Sequence, residues 1–361
     1  MNILIDISHP GQVHLFKNIY FKLKAKHNII WTTRDIPIAK KLLEQYQIPY
    51  INLGKKSNSI FGKAIDIILQ DIKLFFIVKK YKINFGLTSG IALPHVSRVT
   101  KMKSFVFDDD DDEAQPLATK YGHPYADAIF TPKAIKRKTE KAIYYNGTHE
   151  LFYLHPNIFL PDESIFNGLD FDKNTKYFVL RFVAFKGHHD VGESGISFDQ
   201  KKQLIDLLKK YGRVFITSEK EIEKEFEAYR LPVAPHQIHS LLYYASLFIG
   251  DSQTMISEAA IMGVPAVKCN TFAGRLSVPN QLEHTYDLCY SYQPKDFNLF
   301  LDKINELLST NNLKENWNNK LQKLINDAIN PTDFFVWLLE NYPQSLDQLK
   351  VNPDLQFTYN N

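Results

Sequence analysis

Cysteine is scarce in this sequence: its 361 residues include only two, Cys269 and Cys289. Two cysteines exclude a disulfide framework and are typical of a protein that works in a reducing compartment. The net charge is only +3, which argues against a nucleic-acid partner. Long uncharged apolar runs are also missing, because Asp66 and Asp71 interrupt the most apolar stretch, residues 60–78. The sequence therefore predicts no membrane-spanning helix.

No secretory signal is recognisable at the N-terminus. The chain enters a predicted strand at Asn2–Ile7, and Asp6 and His9 interrupt the apolar run that a signal peptide needs. Hydrophobic residues make up 44% of the chain and charged residues 23%, as in ordinary globular proteins. We therefore predict a cytoplasmic protein.

Short apolar strands alternate with amphipathic helical patterns along most of the chain. The strand Asn2–Ile7 is followed by a helical pattern over residues 13–26, and a second alternating series begins at Tyr177. Such alternation predicts the α/β class with parallel sheets, and the length suits two doubly wound, Rossmann-like domains. We predict domains at residues 1–165 and 166–342, a polar linker within 162–176, and a loosely held tail at 343–361.

One strand–turn–helix unit organises the second domain. The apolar strand at residues 246–250 runs into the polar turn 251–253, and a helix follows. Free backbone N–H groups and the helix dipole at such a helix start favour an anion. The hydroxyls of Ser252 and Thr254 add donors for phosphate oxygens, and Glu258 lies one turn further along, where a carboxylate can accept both ribose hydroxyls. The alternative is that Ser252 merely caps the helix.

Six segments, spread nearly from end to end of the chain, carry a family resemblance. They are residues 6–14, 107–114, 125–132, 145–156, 181–192 and 250–265. Together they resemble an uncharacterised "domain of unknown function" family of GT-B-fold proteins, related to non-hydrolysing UDP-N-acetylglucosamine 2-epimerases and nucleotide-sugar glycosyltransferases. The resemblance implies a GT-B architecture, in which two Rossmann-like domains face a cleft. It also implies a UDP-sugar or related donor held by the second domain.

The chain departs from the epimerases at three places. Their Ser-Gly-Gly turn before the diphosphate-binding helix reads Ser-Gln-Thr here, at residues 252–254. Their His-Arg-Arg-Glu-Asn segment corresponds to Gly-His-His-Asp at 187–190, which keeps the histidine and lacks the arginine pair. Their Val-Glu-Ala-Gly segment is matched only by Asp-Glu-Ala-Gln at 112–115. These departures favour a transferase over an epimerase.

The resemblance implies a set of nucleotide-binding residues in the second domain. The expected set is Arg181, His188, His189, Ser252, Gln253, Thr254 and Glu258. A protonated His188 would neutralise phosphate charge, and Arg275 is a further candidate for that role. The alternative for Arg181 is a buried ion pair.

Inverting glycosyl transfer needs a general base to take the proton of the acceptor hydroxyl. The candidates are His9, His14, Asp112 and Glu113 in the first domain. The alternatives are that His9 caps the chain locally and that His14 faces solvent. We interpret Asp109–Asp111 as a solvated charge block. Clustered carboxylates would suit Mg²⁺, but this interpretation requires no metal or other cofactor.

A long helix is predicted from Ile60 to about Tyr81, with aromatic residues and a lysine-rich end. Such a helix can contact an anionic membrane that carries a lipid-linked acceptor, at the inner face of the membrane. The alternative is that it only packs on the sheet.

The predicted function is therefore a GT-B glycosyltransferase that moves a sugar from a nucleotide-sugar donor to a glycan or lipid-linked acceptor in polysaccharide biosynthesis. The first alternative is a nucleotide-sugar 2-epimerase, in which paired carboxylates remove and return the proton at C2. The second is a non-catalytic sugar-nucleotide-binding protein.

Overall fold

A computed structural model describes residues 1–55, 60–183, 193–218, 222–231 and 233–360, with the backbone alone at 60–64. The chain divides into two compact units. Unit 1 comprises Met1–Tyr153 and Ala328–Asn361, and unit 2 comprises Leu154–Asp327.

Each unit contains one parallel β-sheet. The strands are β1 (Asn2–Ile7), β2 (Asn28–Thr33), β3 (Tyr50–Asn52), β4 (Phe85–Thr88), β5 (Lys103–Phe107), β6 (Ala128–Pro132), β7 (Ala142–Tyr145), β8 (Tyr177–Arg181), β9 (Arg213–Thr217), β10 (Leu247–Gly250), β11 (Ala266–Cys269) and β12 (Cys289–Tyr292). The order is β3-β2-β1-β4-β5-β6-β7 in unit 1 and β12-β11-β10-β8-β9 in unit 2. In each sheet the strand order changes direction next to the first strand of the unit, as it does in doubly wound folds. In such folds, ligands bind outside the carboxyl ends of the strands at this point.

Helices connect these strands and complete the chain. They are α1 (Gly11–Leu23), α2 (Pro37–Gln45), α3 (Ile60–Tyr81), α4 (Ala92–Arg98), α5 (Pro116–Tyr121), α6 (Leu151–Leu154), α7 (Phe198–Leu208), α8 (Ile238–Tyr244), α9 (Gln253–Ile261), α10 (Ser277–His284), α11 (Phe297–Ser309), α12 (Leu313–Asp327), α13 (Pro331–Glu340) and α14 (Gln344–Val351). Within the described ranges, no helix is both long enough and apolar enough to cross a membrane.

Local sequence signals account for most of these elements. The α/β class with two parallel sheets is confirmed. At the start of α7, the Ser197 hydroxyl accepts a hydrogen bond from the backbone N–H of Gln200, and the Gln200 side chain accepts one from the Ser197 N–H. This reciprocal capping box matches the Ser-x-x-Gln pattern of residues 197–200. Strands β7 and β12 were not predicted, because these edge strands are only partly buried and lack a continuous buried apolar run.

The domain boundaries differ from the predicted ones at both ends of unit 2. The first change of unit falls after Tyr153 and not at 165, and residues from Ala328 onward return to unit 1. The physical reason is an aromatic cluster: the ring of Phe335 on α13 packs 4.7 Å from Phe107 and 4.8 Å from Phe130. These partners are two hundred residues away in sequence, so no local pattern reveals them.

The predicted loose tail is also wrong in detail, because its residues form α14 and a 3₁₀ segment at Pro353–Tyr359. The Gln356 side chain accepts a hydrogen bond from the backbone N–H of Asn146 at 2.8 Å. The carbonyl of Tyr359 accepts one from the N–H of Asn330 at 2.7 Å. These contacts attach the C-terminal segment to unit 1.

Candidate functional site

The carboxyl end of β5 leads into an acidic loop, residues 108–113, that a buried arginine holds in place. The Arg137 side chain is fully buried and lies 2.6 Å from an Asp112 carboxylate oxygen and 3.2 Å from one of Asp108. It also donates hydrogen bonds to the Thr131 hydroxyl and the Asp108 carbonyl. His123 Nε2 lies 2.8 Å from the Asp108 carboxylate. Asp108 and Asp112 therefore hold the loop on the sheet through buried ion pairs.

Asp109 pairs with a histidine that follows β7. Its Oδ1 lies 3.0 Å from His149 Nδ1, and the His149 ring stacks nearly parallel to the Tyr145 ring at 7°. Burial acts to lower the pKa of His149, but the Asp109 charge and hydrogen bond outweigh it, so the net direction is upward. A carboxylate on Nδ1 orients the ring and leaves Nε2 as the nitrogen that can exchange a proton.

Several buried polar atoms in the 145–150 turn have no hydrogen-bond partner among the described residues. They are Tyr145 Oη, Asn146 Oδ1, Thr148 Oγ1, His149 Nε2 and Glu150 Oε2. Buried polar atoms in folded proteins are nearly always hydrogen-bonded, so such a concentration in six consecutive residues calls for an explanation. A polar ligand or ordered water molecules at this turn would supply the missing hydrogen-bond partners.

Two carboxyl groups near this turn have strongly raised pKa values. Burial raises the pKa of Glu150 to about 7, and the Asp109 charge adds to the shift while the Thr148 hydroxyl opposes it. Burial and the charges of Asp109 and Asp108 likewise raise the pKa of Asp110 to about 7. Groups with such values exchange protons readily at neutral pH, as acid–base catalysts do.

The predicted catalytic residues occupy different settings in unit 1. His9 is exposed, and its Nδ1 accepts a hydrogen bond from the backbone N–H of Gly11 at 3.1 Å. His14 does not face solvent, because its ring is buried and lies 5.6 Å from the Tyr153 ring. Asp112 is paired with Arg137 and Glu113 is exposed. Their catalytic roles remain predictions.

The interpretation of residues 109–111 as a solvated charge block is wrong for two of the three. Asp109 pairs with His149, and Asp110 accepts a hydrogen bond from the Gln115 side chain. Oxygens of Asp108, Asp109 and Asp110 lie within 4.8 Å of one another. The loop folds back on unit 1 because Arg137, which anchors it, arrives from the β6–β7 connection.

In unit 2, α9 begins at the carboxyl end of β10, as predicted. The Ser252 hydroxyl caps it by accepting a hydrogen bond from the Met255 N–H at 3.3 Å, and Thr254 is exposed on the first turn. Gly250 lets β8 and β10 approach closely, because a Cβ there would lie 2.2 Å from the Arg181 carbonyl oxygen. Gly263, which follows α9, has a left-handed conformation with φ of +69°. The start of α9 is thus presented at the strand ends, where an anion is favoured.

A buried lysine lies beneath this helix start. Lys268 on β11 is 1% exposed, and its ammonium donates a hydrogen bond to the Gln253 side chain. Gln253 in turn donates to Asn270, which donates to the Asp251 carbonyl at 2.8 Å. Burial lowers the pKa of Lys268 to about 8. Its charge adds to the helix dipole, so both favour a negatively charged ligand.

The other predicted nucleotide-binding residues lie in three settings. Glu258 is buried, and its Oε1 lies 3.0 Å from His239 Nε2. Arg181 donates a hydrogen bond to the Thr217 hydroxyl at 3.2 Å. Arg275 forms a 2.7 Å ion pair with Glu193. His188 and His189, with residue 190, lie outside the described residues.

Sequence reasoning did not identify His149, Glu150 or Lys268 as site residues. His149 and Glu150 lie within a segment quoted for the family resemblance, but only the fold shows that they meet Asp109. Lys268 had a readable signal, because it is a lone charge in the otherwise apolar strand Ala266–Cys269. A lysine is rarely fully buried without a reason.

Solved structures with a similar fold include a UDP-GlcNAc 2-epimerase and a glycotransferase. The chain is similar to UDP-GlcNAc 2-epimerase from Neisseria meningitidis bound to UDP-GlcNAc, with a TM-score of 0.63, 12% identity, and coverage of 90% of this chain and 98% of that one. It is also similar to the glycotransferase of kitacinnamycin, with a TM-score of 0.59, 9% identity, and coverage of 90% and 94%. The fold is therefore GT-B.

The family described as "Protein of unknown function (DUF354)" matches residues 1–329, and the chain belongs to this family. A relative is the uncharacterized protein MJ0665 of Methanocaldococcus jannaschii. The two are 27% identical over 287 residues, which cover 74% of this chain and 82% of the relative. The suspected family relationship is confirmed.

Proposed function

We propose that this protein is a glycosyltransferase that moves a sugar from a nucleotide-sugar donor to a hydroxyl of a glycan or lipid-linked acceptor. The observation that carries the proposal is the Asp109–His149 pair, with His149 Nε2 buried and unpartnered among the described residues. An oriented histidine with a vacant ring nitrogen is the arrangement expected of a general base for a hydroxyl.

In the proposed reaction, the acceptor hydroxyl gives its proton to His149 Nε2 while its oxygen bonds to the anomeric carbon of the donor sugar. The bond from that carbon to the diphosphate oxygen breaks, and the nucleoside diphosphate leaves with the bonding electrons. Asp109 stabilises the imidazolium that forms, because its carboxylate lies 3.0 Å from Nδ1. Glu150 or Asp110 exchanges the proton with solvent, since both have a pKa of about 7.

Unit 2 is proposed to hold the nucleotide. The start of α9, the Thr254 hydroxyl and the positive charge of Lys268 would contact or attract the diphosphate. The Ser252 cap and Gln253 keep the helix start and Lys268 in place. The relative from Neisseria meningitidis bound to UDP-GlcNAc supports a uridine-type donor. A role in polysaccharide biosynthesis and a location in the cytoplasm remain predictions.

A thermal-shift screen tests donor binding first. We expect UDP or a UDP-sugar to raise the melting temperature more than GDP, CDP or dTDP, because a ligand that binds only the folded state stabilises it by mass action. Release of the nucleoside diphosphate from the identified donor is then measured with and without candidate acceptors. No shift with any nucleotide would reject the proposal.

A 2-epimerase is the second candidate, and one observation favours it. Two carboxyl groups with a pKa of about 7, on Asp110 and Glu150, suit the removal and return of a proton at C2 of the sugar. Incubation with UDP-GlcNAc in D₂O separates the candidates. An epimerase places deuterium at C2 without an acceptor, whereas a transferase leaves C2 unlabelled and releases UDP when its acceptor is present. A nucleotide-induced shift with neither reaction would favour a binding protein.

A further inference from the structure

Helix α3 is apolar on two opposite faces. One face packs into the core of unit 1 through Leu74 and Val78. The opposite one, here called the outer face of α3, comprises Ile65, Ile68, Leu69, Ile72 and Phe76. These five side chains follow helical spacing and are between 48% and 64% exposed. Isolated exposed apolar residues are common, but a continuous stripe over three helical turns indicates an interaction surface.

The acidic residues Asp66 and Asp71 of α3 are each paired with a basic side chain, so they add no unbalanced negative charge to the outer face. Asp66 lies 2.9 Å from Arg34, and Asp71 lies 2.9 Å from His95. Both carboxylates are thus turned towards partners in unit 1, at the flanks of the helix. Lys73 donates a hydrogen bond to the Leu53 carbonyl at 2.6 Å. The middle of the helix therefore offers an apolar surface with its charges paired inward.

The C-terminal end of α3 is cationic and continues the outer face. Lys79, Lys80 and Lys82 are exposed, and the first two flank Phe76 one turn further along the helix. Each of Lys79 and Lys80 lies over a neighbouring aromatic ring, on Phe75 and Tyr81. An apolar stripe with lysines at its end complements a surface that has both hydrocarbon and negative charge. A second protein would need a matching arrangement of both features, whereas an anionic bilayer supplies them by its composition.

We propose that the outer face of α3 docks on an anionic membrane surface, with the helix in the plane of the interface. Ile65, Ile68, Leu69, Ile72 and Phe76 would enter the boundary between head groups and acyl chains. Lys79, Lys80 and Lys82 would contact the phosphates of anionic lipids. The proposal is independent of the proposed catalytic activity, because binding to lipid needs no donor or acceptor.

Vesicle co-sedimentation of the full chain tests this proposal. We expect binding to phosphatidylcholine vesicles that contain about 30% phosphatidylglycerol and at least about tenfold weaker binding to phosphatidylcholine alone. Ile68→Gln/Ile72→Gln should weaken binding to the anionic vesicles by about tenfold or more, because it removes apolar surface that the bilayer buries. Lys79→Gln/Lys80→Gln should weaken it about threefold to tenfold, and its remaining binding should depend less on salt.

Matched variants show whether position or only composition matters. Leu160→Gln/Val351→Gln alters two more exposed apolar residues, and Lys209→Gln/Lys210→Gln alters an adjacent lysine pair at the end of α7. Both control variants should bind like the unaltered protein, and all variants should keep its melting temperature. The proposal is overturned if the unaltered protein ignores anionic vesicles. It is also overturned if light scattering shows a dimer that Ile68→Gln/Ile72→Gln dissociates, since the face would then cover a second copy.

Discussion

Glu150 in unit 1 and Glu258 in unit 2 are both buried glutamates next to a histidine, but their surroundings differ. Glu258 Oε1 lies 3.0 Å from His239 Nε2. Glu150 Oε2 has no hydrogen-bond partner among the described residues, and burial raises the pKa of its carboxyl to about 7. Glu258 is stabilised by its contact in the fold, whereas the burial of Glu150 costs folding free energy.

The same contrast is seen between the surroundings of the carboxyl ends of β10 in unit 2 and β5 in unit 1. At the start of α9, Ser252, Gln253 and Lys268 form hydrogen bonds within unit 2. At the end of β5, acidic groups surround His149 and several polar atoms lack partners. Proteins keep unsatisfied groups mainly where function needs them. The contrast is consistent with the proposal that unit 2 binds an anion and unit 1 transfers a proton.

The largest expected effect follows from removal of the proposed base. His149→Ala should lower turnover by about 10²- to 10⁴-fold, because a positioned general base contributes about that factor. The nucleotide-induced rise in melting temperature should remain, since it is assigned to unit 2. His27→Ala, a half-buried histidine of unit 1 paired with Glu340, is the control and should keep full activity. Equal turnover in both variants would remove His149 from the mechanism.

The pH profile adds a readout that a merely structural role would not change. Asp109 raises the pKa of His149, so Asp109→Asn should lower it. A general base acts in its neutral form, and activity rises as pH increases through its pKa. The acidic limb of the kcat/KM profile should therefore move to lower pH in Asp109→Asn, with a reduced plateau. An unmoved limb would mean that another group is the base.

Substitution of the two glutamates by glutamine should change stability in opposite directions. Because the pKa of Glu150 is raised in the folded state, this group contributes favourably to the free energy of unfolding below about pH 4.5. That contribution is lost as the pH rises through about 7. At pH 8, Glu150→Gln should therefore increase the free energy of unfolding by about 1–2 kcal/mol, and the gain should vanish near pH 4. Glu258→Gln should lower it by about 1 kcal/mol, because it weakens the contact with His239. Urea unfolding at both pH values measures these changes, and the same sign for both variants would refute the contrast.

Lys268 should affect nucleotide affinity without touching the ligand. Lys268→Met removes the buried charge at similar volume and should weaken UDP binding about tenfold, or about 1.4 kcal/mol. Lys320→Met, which removes a partly exposed lysine paired with Asp287, is the control. A bound anion favours the protonated lysine, so binding near pH 8 should take up protons and weaken as pH rises further. Calorimetry in two buffers detects this uptake, and its persistence in Lys268→Met would assign it to another group.

Two helix caps provide the smallest and best-matched comparison. Ser252→Ala at α9 and Ser197→Ala at α7 should each cost about 1 kcal/mol of stability, because each removes an N-cap hydrogen bond. Only Ser252→Ala should also reduce the nucleotide-induced rise in melting temperature. An equal reduction in both variants would show that helix α9 has no special part in binding.

Much of the fold could be predicted from short-range patterns. β1 begins and ends at the predicted residues, Asn2 and Ile7, because a continuous apolar run between polar residues suits a buried parallel strand. The bounds of α3 are likewise those predicted. The start of α9 was also predicted, since capping preferences act over a few residues.

The two units differ in how much of their candidate residues the sequence reveals. In unit 2, Ser252 and Glu258 are candidates from one continuous segment, because a strand, a cap and a helix face are local features. The arrangement in unit 1 depends on Asp109, Arg137 and His149 approaching one another over forty positions of sequence. Whether an aspartate is solvated or paired depends on which side chain the fold brings beside it, and the local sequence pattern does not determine that partner.

The α/β class, most strands and helices, and an anion-favouring helix start all follow from short-range patterns in the amino-acid sequence. Each of these depends on hydrophobic period, capping and backbone preferences, which operate within a few residues. The tertiary structure alone decided the membership of residues 328–361 in unit 1 and the pairing of Asp109 with His149. It also set the raised pKa of Glu150. These properties arise from burial and from charges distant in sequence, and both exist only once the chain has packed.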